Sequence, residues 1–340
     1  MSRSVRIGVR LPPCRPVPEL AAAARQAEEL GFDDVWLPDS QLLWRDVFAT
    51  ATAASLATRS VRIGTAVTNV ATRHPSVIAS AARTVAEIAP GRFVLGLGIG
   101  NSSVAPVGLR PSTRAELRRG IADIRDLLAG RTTGFAGVRS RMRDPAPGVE
   151  VHIAATGPAN LELAGEIGDG AILLCGASPR LVRAGVERLA AGAERGDRAT
   201  PPVTVSTFCV VTDDVAAAAR TLKPICGGIA QGGGRAALAT AGIDVDLPDR
   251  LEGVYPDLVH AEDWERAIEV CDPYVSDADA LAFAQHFCLV GTPGDIAKRI
   301  AELADAGANA VFLQHPGSYS LPGELLTSFG RRVLPLLNGS

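Results

Sequence analysis

The residues of this 340-residue chain that are equipped for chemistry fall in short clusters, each directly behind a run of apolar residues. Arg10 closes the run VRIGVR, Asp39-Ser40 follow DVWLP, and Thr68-Asn69 and Arg73-His74 follow VRIGTAV. Gly98, Gly100, Asn101 and Ser102 end and follow RFVLGLG, Thr156-Gly157-Pro158-Ala159-Asn160 follow VEVHIAA, and His315 follows AVFLQ. A guanidinium suits bidentate binding of an anion or a carbonyl. A carboxylate placed like Asp39 is costly to bury unless it is hydrogen-bonded or used. The two glycine-containing clusters offer backbone N–H groups, and where one feeds a helix, the electropositive N-terminus can take phosphate oxygens.

An alternation of strand and helix signals positions these clusters. Residues 61–67 are β-branched and apolar enough for a buried strand, and Pro75 sits where a helix begins without losing a needed N–H. Val77, Ile78, Ala81, Val85 and Ile88 recur at helical spacing, Pro90-Gly91 stop that helix, and residues 92–97 form the next strand. So compact a strand–helix–strand unit implies parallel strands. Both polar segments then open on one C-terminal rim, where (β/α) barrels build their active sites. Further strands are expected at 5–11, 34–37, 149–156, 170–175, 203–211 and 310–314. Helices are expected at 19–30, 46–58, 158–167, 179–195 and 321–337, with others led by Thr113-x-x-Glu116, a capping box, and by Thr292-Pro293. Residues 131–148, rich in Arg, Gly and Pro, read as a loop. The fold class is α/β, a (β/α)8 TIM barrel spanning 1–340 as one domain, with an insertion after strand seven. Residues 224–286 form that helical and loop insertion, laid over the mouth as part of a lid.

Bulk composition narrows the function. The length suits one elaborated barrel of about 250 residues plus insertions. Hydrophobic residues at 47% and charged residues at 21% give ample core. A net charge of −3 leaves no electrostatic footprint for nucleic acid or a membrane surface. Neither a signal-peptide core nor a run of about 18 apolar residues is present, and the six cysteines form no C-x-x-C pair, which together suggest a cytoplasmic protein with reduced thiols. Lys occurs only at 223 and 298, so Schiff-base chemistry has two candidate amines. The five histidines form no metal-binding pair, and no metal is expected. His152 and His286 read as core or surface residues, GLGIGN has the wrong third spacing for a Rossmann fingerprint, and GGGR at 232–235 lacks the Lys-Ser/Thr of a P-loop.

Four blocks then carry a resemblance: LGFDDVWLPDS (30–40), IGTAVTNVATRHPSVIASAARTVAEIAPGRFVLGLGIGN (63–101), HIAATGPANLELAGEIGDGAIL (152–173) and FCLVGTPGDIAKRIAELADAGANAVFL (287–313). In this order the chain resembles the bacterial luciferase-like flavin and deazaflavin oxidoreductases, and within them the coenzyme F420-dependent methylenetetrahydromethanopterin reductase branch. The resemblance implies a cleft at the barrel mouth for a deazaflavin or flavin ring, a homodimer, and a small-molecule substrate. It implies a bulge in strand three with a non-prolyl cis peptide between Ala66 and Val67 behind the ring, next to Thr68. It matches Gly98, Gly100, Asn101, Thr156, Gly157 and Pro158 to positions that cradle ribityl and phosphate, and sets Asp39 near the ring's polar edge. His74 falls near the pocket.

Departures from that branch bear on the substrate. A glutamate after strand one is Arg10 here, a D-H pair is Asp39-Ser40, and an acid in the glycine mouth is Asn101. These replacements remove candidate proton donors for a pterin. The expected reaction is hydride transfer between F420 and a small substrate bearing C=N, C=C or C=O. In it Asp39 orients the ring, Arg10 anchors or polarises the acceptor or else meets the deazaflavin's own negative charge, and Ser40, His74 or water supplies a proton. The alternatives are an FMN-dependent two-component monooxygenase, a non-catalytic flavin-binding barrel, and a Lys- or metal-dependent lyase.

Overall fold

Eight short strands, several buried on both faces, leave the chain no stable arrangement but a covered parallel sheet, and here the sheet closes on itself. The computed structural model describes residues 5–317 and 319–338. The barrel strands are β1 (Arg6–Arg10), β2 (Asp34–Leu37), β3 (Arg62–Thr65), β4 (Phe93–Gly98), β5 (Glu150–Ala155), β6 (Gly170–Leu173), β7 (Val203–Val211) and β8 (Ala310–Gln314). Each pairs in parallel with the next, and β8 returns to β1 with Val9 beside Leu313. Helices α1 (Val17–Glu29), α2 (Val47–Ala57), α3 (Pro75–Ile88), α4 (Arg114–Leu128), α5 (Pro158–Ile167) and α6 (Pro179–Arg195) cover the strands. The expected α/β barrel is therefore present.

Inside it, Trp36 spans the lumen with Phe312 5.7 Å and His152 6.1 Å away between ring centroids. That indole needs bare neighbours. A Cβ at Gly64 would lie 2.3 Å from its Cζ3, and one at Gly8 2.7 Å from its Nε1. Ala66, Val67 and Ala154, half-buried or nearly so, pack against this Trp36 layer and floor the C-terminal mouth. At the opposite end Asp34 is buried between Arg6 (3.2 Å) and Arg62 (3.5 Å), and Arg62 also reaches Glu150 at 3.2 Å.

Between β7 and β8 the chain runs through helices Val215–Arg220, Lys223–Ile229, Arg235–Ala239, Trp264–Cys271 and Asp277–Phe287, then a short strand Leu289–Gly291 beside β7. These helices build a second hydrophobic cluster around Leu222, Ile225, Leu258, Cys271 and Phe283, separate from the barrel core. No helix among the described residues is long and apolar enough to cross a membrane.

The interruption implied for the third strand is present: it ends at Thr65 and resumes as Thr68–Asn69 beside β4, with a cis Ala66–Val67 peptide between. Two expectations need correcting. Residues 131–148 are not all loop: Thr133–Phe135 and Val138–Ser140 form an antiparallel hairpin, turned at Ala136 and Gly137, both with positive φ. The closing helix is two pieces, Gly323–Arg332 and Leu334–Asn338. Pro335 lacks the N–H that would bond the Arg331 carbonyl, and its ring crowds that carbonyl.

Candidate active site

The mouth is built from the segments that leave the strands. Its floor is the cis-linked Ala66–Val67 pair with Ala154, and Gly98 lies against it. A Cβ at Gly98 would meet Val67 Cγ2 at 2.9 Å, so the floor stays flat only with glycine there. Gly100 has φ +84°, a conformation that side chains disfavour, and a Cβ there would also strike Val104 at 2.8 Å. Asn101 is exposed, and its carbonyl takes the N–H groups of Val104 and Ala105 to start the next turn.

On the β2 side Asp39 is buried and fully engaged. Thr68 Oγ1 donates to its Oδ2 at 2.7 Å, while Arg73 donates from Nε at 3.1 Å and from Nη2 to Oδ1 at 3.2 Å. The same Nη2 reaches Asp46, the N-cap of α2, at 2.9 Å. Burial works against the Arg73 charge, but Asp39 and then Asp46 outweigh it and hold the guanidinium firmly protonated. Ser40 is buried with its Oγ 2.7 Å from that of Ser102, which ties the β2 and β4 segments together. Asn69 Nδ2 donates to Ser103 Oγ at 2.9 Å and so ties the continuation of the third strand to the segment after β4.

Across the mouth, Thr156, Gly157 and Pro158 are exposed at the start of α5. Gly157 is the N-cap in an extended conformation, no side chain caps this helix end, and no atom lies within 4 Å of where its Cβ would stand. An open, uncapped helix N-terminus beside a flat apolar floor fits a planar ring with a phosphate-bearing tail.

Arg10 leaves β1 only 6% exposed, its guanidinium 5.0 Å from the centroid of Trp44. His315, after β8, has Nε2 3.2 Å from Ser320 Oγ; burial first and then the Arg10 charge push its pKa down to about 4. The structure thus brings Asp39, Thr68, Ser40 and the Ala66–Val67 floor into one network-bound mouth. His74 is engaged elsewhere: its exposed ring N-caps α3 through Ser76 and meets Phe135 of the hairpin at 4.6 Å. The sequence marks Arg73 beside His74 but not its pairing with Asp39, 34 residues away, and it gives no sign of Trp44, which sits in an irregular stretch with no periodicity. The lysines lie apart from the mouth, Lys223 bound to Asp272 and Asp277 and Lys298 exposed beside Glu302. No three potential metal ligands cluster among the described residues.

A cavity of about 660 Å³ also opens outside the barrel, between Val70, Ala71 and Pro75 on one side and Leu109, Ser112 and Gly120 on the other. Its charges are already paired, Arg110 with Glu116 and Arg119 with Asp123, so we place the chemistry at the mouth instead.

A parallel barrel whose rim holds a flat apolar floor, a buried acid and an uncapped helix start defines an α/β-barrel oxidoreductase of the flavin-ring type. The chain belongs to the luciferase-like monooxygenase family, whose model matches residues 4–310. It is 32% identical over 320 residues to a 5,10-methylenetetrahydromethanopterin reductase of Methanolobus tindarius, covering 91% of this chain and 94% of that one. It is 36% identical over 200 residues to an F420-dependent glucose-6-phosphate dehydrogenase of Beutenbergia cavernae, covering 53% and 60%. In fold it matches the coenzyme F420-dependent tetrahydromethanopterin reductase of Methanopyrus kandleri, with TM-score 0.76, 22% identity and coverage of 98% and 99%.

Proposed function

We propose that the protein is a coenzyme F420-dependent oxidoreductase transferring hydride between the deazaflavin and a small organic substrate with a C=N, C=C or C=O bond. The observation that carries this reading is the Ala66–Val67 floor kept flat by Gly98, in a chain with a reductase relative along almost its full length. When bound, F420 supplies the hydride chemistry; the protein supplies orientation, water exclusion and charge. Ala66, Val67 and Thr68 back the ring. Gly98, Gly100 and Asn101 border the ribityl chain, and Thr156, Gly157 and Pro158 receive the phosphate at the start of α5. Asp39, held by Thr68 and Arg73, orients the polar edge of the ring. Ser40 holds a proton within reach of Ser102, which makes the pair a relay to water. Because His74 caps α3 and packs on Phe135, Ser40 is favoured over it as the proton source. Arg10 faces the acceptor, which disfavours a pterin and favours a smaller, more polar substrate. The protein acts as a homodimer in the cytoplasm.

The test separates cofactors and checks the cradle together. Fluorescence titration should give tight binding of F420 and weaker binding of FMN; tight FMN binding with oxygen-dependent turnover would instead make the protein a two-component monooxygenase. Gly157→Asp has room for its side chain and places a good N-capping group, so its melting temperature should equal or exceed that of the parent. Its carboxylate should meanwhile repel the phosphate and weaken F420 binding by about 100-fold or more. Wild-type F420 affinity in this variant would remove the phosphate from the α5 end.

A further inference from the structure

Arg10 is a buried cation without a counter-charge. It is 6% exposed, and among the described residues no carboxylate, carbonyl or hydroxyl bonds its guanidinium, whose recorded ring contact is the face of Trp44. The chain does not treat its other buried ions this way: Asp34 has Arg6 and Arg62, Asp39 has Arg73, and Lys223 has Asp272 and Asp277. Burial lowers the Arg10 pKa to about 10, against a raising influence from Cys14, so it stays charged at neutral pH. Leaving such a charge unpaired is expensive unless a ligand completes it.

The surroundings fit an anion. Trp44 Nε1 and His315 Nδ1 are both buried without a hydrogen-bond partner, and both residues adjoin Arg10. Neutral His315 adds no competing cation. Arg15 and Arg45 add positive potential around Cys14, next to Arg10. The acidic groups on this side do not answer the Arg10 charge. Asp257 is held by His260 at 2.9 Å, with that ring edge-on to Trp44 at 5.5 Å, and Glu262 acts on Tyr319.

Topology sets this site apart from the phosphate end. Around the closed barrel, β1 and β5 are separated by three strands in either direction, so Arg10 lies across the mouth from Gly157. It therefore stands apart from the phosphate end of the cofactor site. We propose that Arg10, walled by Trp44, binds a carboxylate of the substrate, so that the substrate is a small organic acid whose unsaturated or carbonyl carbon lies over the ring floor. Naming this ligand the substrate rests on the hydride-transfer reading above; the anion site itself does not.

Benzoate and its neutral isostere benzamide test the site, with binding followed by calorimetry on the protein with and without F420. Benzoate should bind the parent protein about tenfold or more tightly than benzamide. Arg10→Met should erase that preference by weakening benzoate alone, and Arg10→Lys should restore part of it. F420 affinity should be the same in the parent and in Arg10→Met. Equal binding of benzoate and benzamide to the parent protein overturns the proposal, and this comparison needs no folded variant. Loss of F420 affinity in Arg10→Met together with benzoate affinity also overturns it, by assigning Arg10 to the cofactor. If F420 binds neither protein while benzoate is still preferred, the cofactor reading falls and the anion site stands.

Discussion

Arg73 shows how one side chain ties the mouth together. It forms two hydrogen bonds to buried Asp39, a third to Asp46 at the start of α2, and lies 5.5 Å from the Phe48 ring centroid. Removing it as Arg73→Ala leaves the Asp39 carboxylate buried with Thr68 as its remaining side-chain donor. Because Arg73 itself is partly exposed, the expected loss is about 2–3 kcal/mol in urea unfolding, below the value for a fully buried pair. If Asp39 orients the ring, F420 affinity should fall as well. Arg73→Lys should recover part of the stability but less of the affinity, since an ammonium cannot reproduce the two-pronged geometry. Full F420 affinity in Arg73→Ala would separate Asp39 from the cofactor. Nothing in the sequence marks this pair, because an Arg in a loop after one strand and an Asp after another carry no shared periodicity.

At the scale of elements, the barrel was legible because each strand is a short apolar run and each helix shows its own start or stop signal. The capping boxes at Thr113 and Thr292 are both formed, and the cis peptide stands where the family resemblance put it. The hairpin at 133–140 was hidden because Ala136-Gly137 is not one of the usual turn pairs and its strands are polar. Contacts between elements were equally illegible. Glu28 on α1 reaches over to accept the backbone N–H groups of Arg59, Ser60 and Val61 and the Ser60 hydroxyl, fixing the chain as it enters β3. Burial pushes its carboxyl up, but these donors together win and bring its pKa down to about 2. A carboxylate depressed in the fold adds stability that is complete above its unfolded pKa, near 4.5, and fades as pH falls toward 2. Glu28→Gln should accordingly cost about 1–2 kcal/mol at pH 7. The gap to the parent should narrow steadily in unfolding curves taken from pH 5 to pH 2. A gap independent of pH would mean that packing of α1, rather than the charge, sets the β3 entry.

Across the whole molecule, three hydrophobic clusters supply stability in one chain. One packs the barrel strands against their helical jacket, the Trp36 layer fills the lumen, and another holds the helices between Val215 and Phe287. Lys223 sits in this last cluster, 3% exposed, with its Nζ 2.6 Å from Asp272 and 2.7 Å from Asp277. Arg220 also touches both acids, but from a half-exposed position where water screens it. Lys223→Ala therefore removes a buried cation but leaves two half-exposed acids that Arg220 still partners, at a cost of about 1–2 kcal/mol. Because the barrel strands close without these helices, the damage should stay local. Amide hydrogen exchange should speed up through residues 215–287 while β1 to β6 keep their protection. His260 of this region meets Trp44, the wall of the proposed anion site, so adding F420 with benzoate should slow the region's exchange in the parent protein if it lies over the mouth. Equal acceleration in the barrel strands of Lys223→Ala would mean that this cluster and the barrel unfold as one unit, and these helices would then be part of the barrel's own stability rather than a segment that opens by itself.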